Sequence, residues 1–156
     1  QAHATQRFTA GVYLWPGTTA QRAALGLPAT QGPAQQLQVG NRQLVCRHHQ
    51  ARTIVFTFAD LCEQLTAVMD YLLLCETFDH WIIDGLPHLA QCPIAVQQRF
   101  INLVDVLYDR DKRLTLIGTE PLADCLAGEA IDLARTASRL SQLQQVDPQP
   151  VPDPVS

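Results

Sequence analysis

The chain has one lysine and one methionine, and no acidic residue precedes Asp60. These shortages are informative. A phosphate loop of the form G-x-x-x-x-G-K-[ST] needs a lysine after a glycine-rich turn, and Lys112 instead stands between Asp111 and Arg113. No G-x-S-x-G occurs, which leaves a serine hydrolase without support. The cysteines, Cys46, Cys62, Cys75, Cys92 and Cys125, are odd in number and none forms a C-x-x-C pair. Most lie in apolar periodic stretches, where a free thiol packs as a small hydrophobe, so reduced thiols and a cytoplasmic location are expected. The longest purely apolar runs, such as Leu72 to Cys75, fall far short of the ~20 residues that span a bilayer, so no membrane insertion is expected. The first residues, QAHATQRFTA, carry neither the basic nor the apolar region of a signal peptide. They also lack an initiator Met, which suggests a fragment or a processed chain.

What is present describes a folded chain. At 156 residues, with 47% hydrophobic and 17% charged side chains, it has the length of one domain and hides roughly 70% of its unfolded surface on folding. Disorder over most of the chain, collagen-like repeats and a coiled-coil rod are excluded. Residues 1–58 carry five arginines and no acid, whereas residues 59–156 carry six bases and fifteen acids. The five arginines are scattered, without lysine or interleaved aromatics, so a solvated face is expected in place of a nucleic-acid surface.

Val12-Tyr13-Leu14-Trp15 reads as a short strand broken by Pro16-Gly17. A short helix follows near Thr19 to Leu25. Leu37, Val39 and the Gly40-Asn41 pair indicate a hairpin with a second arm from Gln43 to Arg47. A further strand runs through Thr53 to Phe58. Residues 1–58 are therefore expected to form a small β-containing lobe. After Asp60 the apolar period becomes about 3.6. Val68, Tyr71, Leu72 and Cys75 predict a helix over 66–77, and Phe100, Leu103, Val104 and Leu107 predict another after Pro93. His80 to Asp84 and Leu114 to Ile117 read as buried strands. Strand, helix of about 17 residues and strand make a βαβ unit with parallel strands. A last helix is expected over 130–145, with Ile131, Ala134, Ala137 and Leu140 inward. Residues 147–156, with four prolines, are expected to be a disordered tail.

Candidate chemistry centres on the βαβ unit. Asp84 closes one strand and Thr119 follows the other, where an acid would hold Mg²⁺ and a hydroxyl would meet a phosphate or water. The pair resembles the Walker B and sensor halves of a P-loop ATPase. Gly85, however, stands where a hydrolytic Walker B carries its second acid. Other groupings read more simply as structure. Cys46, His48 and His49 match no standard zinc spacing and suit a strand or turn. No signature supports a nucleophilic pairing of Cys62, Cys75 or Cys92 with His80 or His88. Asp105, Asp109 and Asp111, offset by Arg110, Lys112 and Arg113, suit a solvated helix end. Trp81 suits the core.

A more specific resemblance covers residues about 53 to 145. Phe58-Ala59-Asp60-Leu61-Cys62, Asp70-Tyr71, Ile83-Asp84-Gly85-Leu86-Pro87, Arg99 through Asp105, Tyr108-Asp109, Glu120-Pro121 and Arg135-Thr136-Ala137-Ser138-Arg139-Leu140 follow in order. Together they resemble the C-terminal part of the ZapE-like family of cell-division ATPases, which has mitochondrial relatives. Tyr13-Leu14-Trp15-Pro16 matches more loosely. Ala134, Gln142-Leu143 and Gly118-Thr119 depart from the family pattern.

The resemblance implies an α/β fold, a P-loop-NTPase-like βαβ module with the small β-containing lobe before it. It implies an AAA+ parent that uses ATP and Mg, with the phosphate loop, true Walker B and arginine finger outside this chain. The chain alone is then expected to be inactive and to need no cofactor. Its expected role is that of the parent's C-terminal, non-catalytic lobe, with residues 59–146 as the α/β part, packing on the parent's ATPase core or a neighbouring protomer. The tubulin-like division protein is a further implied partner. Arg135, Arg139, Asp84 and Thr119 are the implied nucleotide-facing residues. For Arg135 and Arg139 the competing reading is an ion pair with Asp132 or Glu129. The alternative for the whole chain is a stand-alone adaptor without nucleotide dependence.

Overall fold

The computed structural model describes residues 6–28, 32–128 and 132–148. Six strands form one sheet: β1 (Val12–Leu14), β4 (His48–Gln50), β5 (Thr53–Thr57), β6 (His80–Leu86), β7 (Arg113–Gly118) and β8 (Gln144–Val146). Their order across the sheet is β4-β5-β6-β7-β1-β8. All neighbours are parallel except β4, which returns antiparallel onto β5. A separate hairpin pairs β2 (Gln35–Val39) with β3 (Arg42–Cys46), as the Gly40-Asn41 signal predicted.

The helices are α1 (Gln6–Thr9), α2 (Thr19–Ala24), α3 (Phe58–Cys62), α4 (Val68–Thr77), α5 (Ile94–Asp109), α6 (Leu122–Cys125) and α7 (Leu133–Leu140), with a 3-10 turn at Leu89–Gln91. α5 begins directly after Pro93, whose fixed φ suits a helix start. Its Phe100, Leu103, Val104 and Leu107 are buried as their spacing requires. The β6–α5–β7 unit is parallel, with Ile82 opposite Thr115 and Ile83 opposite Leu116. At Gly85 the register slips, and its φ of +84° is one that glycine adopts freely.

The sheet crosses the boundary expected at residue 58. β1, β4 and β5 lie in the same sheet as β6 and β7, and of the described residues before 58 only β2 and β3 form a sheet of their own. The reason is burial. Val12, Tyr13 and Leu14 are all buried, so β1 is apolar on both faces, as an interior strand of a parallel sheet covered on both sides must be. The terminal helix is shorter than expected. It ends at Leu140, and Gln144–Val146 pairs with β1 as an edge strand. Its inward residues are Leu133, Thr136 and Leu140, whereas Ala134 is exposed. Val68, at the start of α4, is also exposed. Ile131 and residues 149–156 of the expected tail lie outside the described residues.

Strand alternation divides the apolar residues between two faces. Tyr13, Phe56, Trp81, Ile83, Leu114 and Leu116 enter a large core with α1, α3 to α7 and the hairpin. Leu14, Val55, Ile82 and Ile117 form a small cluster on the other face. All five cysteines are free; Cys46, Cys62, Cys75 and Cys125 are buried, and burial pushes the Cys75 thiol up to about 11.

Candidate functional site

In an open parallel sheet the ligand crevice lies beyond the carboxyl ends of the strands, where successive connections leave toward opposite faces. Here β1 leads into α2 by the small-core face, while β7 leads into α6, which belongs to the large core. The switch therefore falls between β1 and β7. The turn from β7 is tight: a Cβ at Gly118 would lie 2.1 Å from the Tyr13 hydroxyl, which donates to the Glu120 carbonyl at 2.6 Å.

The loop leaving β1, Trp15-Pro16-Gly17-Thr18, occupies the crevice with its own side chains. Thr18 and Gln21 form a reciprocal capping box at the start of α2. The Gln21 Oε1 accepts from the amides of Gly17 (2.9 Å) and Thr18 (3.0 Å). Its Nε2 donates to the carbonyls of Trp15 (2.8 Å) and Asp147 (3.1 Å), which ties the loop to the end of β8. Arg22 donates through Nε to the Gly17 carbonyl at 2.8 Å. Its terminal nitrogens grip the Asp84 carboxylate as a fork, at 2.7 and 3.2 Å. Both side chains are largely buried, 23% and 16% exposed.

A second fork stands beside the first. Arg47 donates to both oxygens of Asp60 at 3.0 Å, and Asp60 also accepts from the Thr57 amide at the start of α3. Arg22, Arg47, Thr57, Glu63, Asp84 and Gly85 line a common open cleft of about 580 Å³ at the ends of β5 and β6.

These residues do not fit a magnesium–nucleotide complex. A phosphate cradle presents unpaired loop amides and a lysine. Here the Gly17 and Thr18 amides both donate to one carboxamide oxygen. The single lysine, Lys112, binds Asp79 at 2.8 Å beside the amino end of β7. A cation at Asp84 would have to share the carboxylate with the Arg22 guanidinium, which already neutralises it through bonds to both oxygens.

The other residues singled out from the sequence lie elsewhere. Thr119 is exposed in the turn after β7. Arg135 and Arg139 project from α7 and converge on Asp105 of α5, at 2.8 and 2.6 Å. Arg135 also meets Asp132 at 3.3 Å, and the Arg139 guanidinium lies 4.4 Å from the centre of the Tyr108 ring. α7 packs into the large core, whereas Asp84 shares its strand face with Ile82. The sheet therefore stands between the two sets. Glu129 lies outside the described residues. His48 and His49 sit in β4, and Asp111 accepts from the amides of Arg7 and Phe8 at the start of α1. Gln21 and Arg22 were not singled out. Thr18-x-x-Gln21 is a readable capping signal; nothing local points Arg22 at Asp84.

A family model for AFG1-like ATPases matches residues 2–150. The chain belongs to the AFG1-like ATPase family. The match extends the ZapE-like resemblance of residues 53 to 145 over nearly the whole sequence. This AFG1-like chain is similar to cell division protein ZapE of Escherichia coli K12, with 26% identity over 132 residues, 81% of this chain and 35% of that protein. It is also similar to lactation elevated protein 1 homolog B of Danio rerio, with 35% identity over 66 residues, 42% of this chain and 13% of that protein. The chain thus spans about a third or less of the curated relatives it matches. Among solved structures it resembles the replication initiator DnaA bound to AMPPCP and single-stranded DNA, with a TM-score of 0.50, 11% identity, and 91% of this chain and 41% of that chain covered. That likeness concerns the fold, a P-loop-ATPase-like α/β sheet. Among the described residues no helix is long and apolar enough to cross a membrane.

Proposed function

We propose that this chain is the non-catalytic lobe of a larger AFG1-like ATPase. ATP and Mg would be held by another part of that protein, and this lobe packs on the ATPase core or on a neighbouring protomer. The observation that carries the reading is the filled crevice. Gln21 takes the loop amides and Arg22 takes both oxygens of Asp84. The similarity to ZapE supports a cytoplasmic role in cell division, with the tubulin-like division protein as a partner; a role in protein quality control is the other function of this class of ATPase. The same clamp favours a second reading, a stand-alone adaptor whose partner binding ignores ATP.

Titration calorimetry of the chain with a magnesium-bound, non-hydrolysable ATP analogue tests the shared core of both readings. No heat of binding is expected from the chain, and none from its Arg22→Ala variant. Saturable binding that Asp84→Asn abolishes would overturn the proposal. Capture of the family's ATPase core with and without ATP then separates the two readings. Nucleotide-dependent capture supports the lobe, and nucleotide-independent capture of another partner supports the adaptor.

A further inference from the structure

The opposite end of the sheet holds a second, smaller cavity. About 180 Å³ lies between the amino ends of β5, β6 and β7 and the segment Leu25 to Pro28 that follows α2. Among the described residues its polar lining is Thr53, His80, Arg113 and Thr115, with no carboxylate. The His80 Nε2 lies 2.8 Å from the Thr115 hydroxyl. Arg22, Arg47 and Arg52 each grip an aspartate. The Arg113 side chain has no ion pair or hydrogen bond among the described residues.

The consequence is an uncompensated positive potential. Burial and the Arg113 charge together push His80 down to about 4. The neighbouring Asp79 does not offset this, because Arg7, Arg52 and Lys112 all converge on its one carboxylate. β1 contributes only Val12 to the cavity, and Leu25 to Pro28 contribute no charge. The Arg113 guanidinium and the Thr53 hydroxyl are donors, and a proton added to the His80–Thr115 pair supplies one more, a set suited to a ligand that only accepts hydrogen bonds. The volume is below the roughly 300–1,000 Å³ of sites for drug-sized ligands, which excludes enclosure of a nucleoside.

We propose that this cavity is a binding site for a small tetrahedral oxyanion of the phosphate class, held by Arg113, Thr53, Thr115 and His80. It lies at the other end of the strands from the Asp84 cleft and does not depend on the reading given above. The bound anion pairs with Arg113 and makes the imidazolium of His80 favourable, so binding strengthens as His80 takes up a proton.

The test is NMR of the full chain titrated with inorganic sulfate, which keeps its charge across the titration range of histidine, against chloride at equal ionic strength. Sulfate is expected to shift the His80 ring and the Thr53 and Thr115 amides saturably, and to raise the His80 pKa where chloride does not. Arg113→Gln, a change at an exposed position, should weaken binding by about tenfold or more. Arg110→Gln should leave it unchanged. Shifts that grow linearly without saturation, or an Arg113→Gln variant that titrates like the parent, would overturn the site. Inorganic phosphate and phenyl phosphate then identify the source. Saturation by phosphate alone supports a free ion, and saturation by both supports a terminal phosphate on a larger molecule.

Discussion

The two faces of the sheet are held by different physics. On one, Trp81, Tyr13, Phe56 and Leu116 are fully buried beneath six helices and the hairpin. On the other, Leu14, Val55, Ile82 and Ile117 form a small cluster among the described residues, with Leu27 and Val146 leaning on it. The helix covering that face, α2, has six residues, below the roughly 12–15 at which an isolated helix becomes even marginal. Apolar burial alone cannot hold it there. Polar clamps do so: Gln21 to the ends of β1 and β8, and Arg22 to β6. The crevice beyond the carboxyl ends of the strands, where an open parallel sheet binds its ligand, is thus where this chain uses its polar side chains to fasten itself.

The widest expected separation comes from truncating leucines on opposite faces. Leu116→Ala in the large core should fall in the upper part of the ~2–5 kcal/mol range for buried Leu→Ala, and Leu14→Ala in the lower part. Urea denaturation of both variants decides this, and equal losses would break the contrast between the faces. Next comes the clamp. Arg22→Ala should destabilise by about 1–3 kcal/mol, because it strands a largely buried carboxylate. A double-mutant cycle with Asp84→Asn should show clear coupling between the two residues, and additive losses would mean the fork is not what holds α2.

The third prediction concerns pH. His80 has a folded pKa of about 4 against its ordinary 6.5, depressed by burial and by Arg113. The unfolded chain therefore binds the proton first. This contribution to stability is whole above about 6.5, falls as the pH drops toward about 4, and is constant below that. His80→Gln should flatten that slope in denaturation curves measured across the interval. The smallest effect is expected at Arg135, whose exposed ion pairs to Asp105 and Asp132 are of the weakly stabilising kind. Arg135→Ala should leave the urea midpoint almost unmoved, whereas Asp105→Asn, which frees two arginines at once, should shift it measurably.

The large-core face was the more legible of the two. The 3.6-residue period of α5 and the short apolar runs of β6 and β7 placed the central βαβ unit, because both patterns are local. The capping pattern at Thr18 was equally local. β8 was not legible, since Gln144-Gln145-Val146 has no apolar alternation and is a strand only because β1 offers it a free edge. The assignment of β1 to a separate lobe failed for the same reason: three apolar residues do not reveal which sheet they join. Of the stripe expected on α7, Ala137 packs on the large core and Leu140 is buried, whereas Ala134 is exposed and Leu133 and Thr136 turn inward.

By itself the sequence determined that the chain folds as α/β, that it has no phosphate loop, and that its central strands and long helix alternate. A single lysine flanked by acid and arginine is enough for the second point. Only the tertiary structure decided that β1 inserts between β7 and β8, that Arg22 closes on Asp84 across 62 residues, and that Arg113 is left beside His80. Periodicity and capping act over one or two turns of chain. Which distant charges meet depends on strand order, and strand order is set by the burial of whole faces.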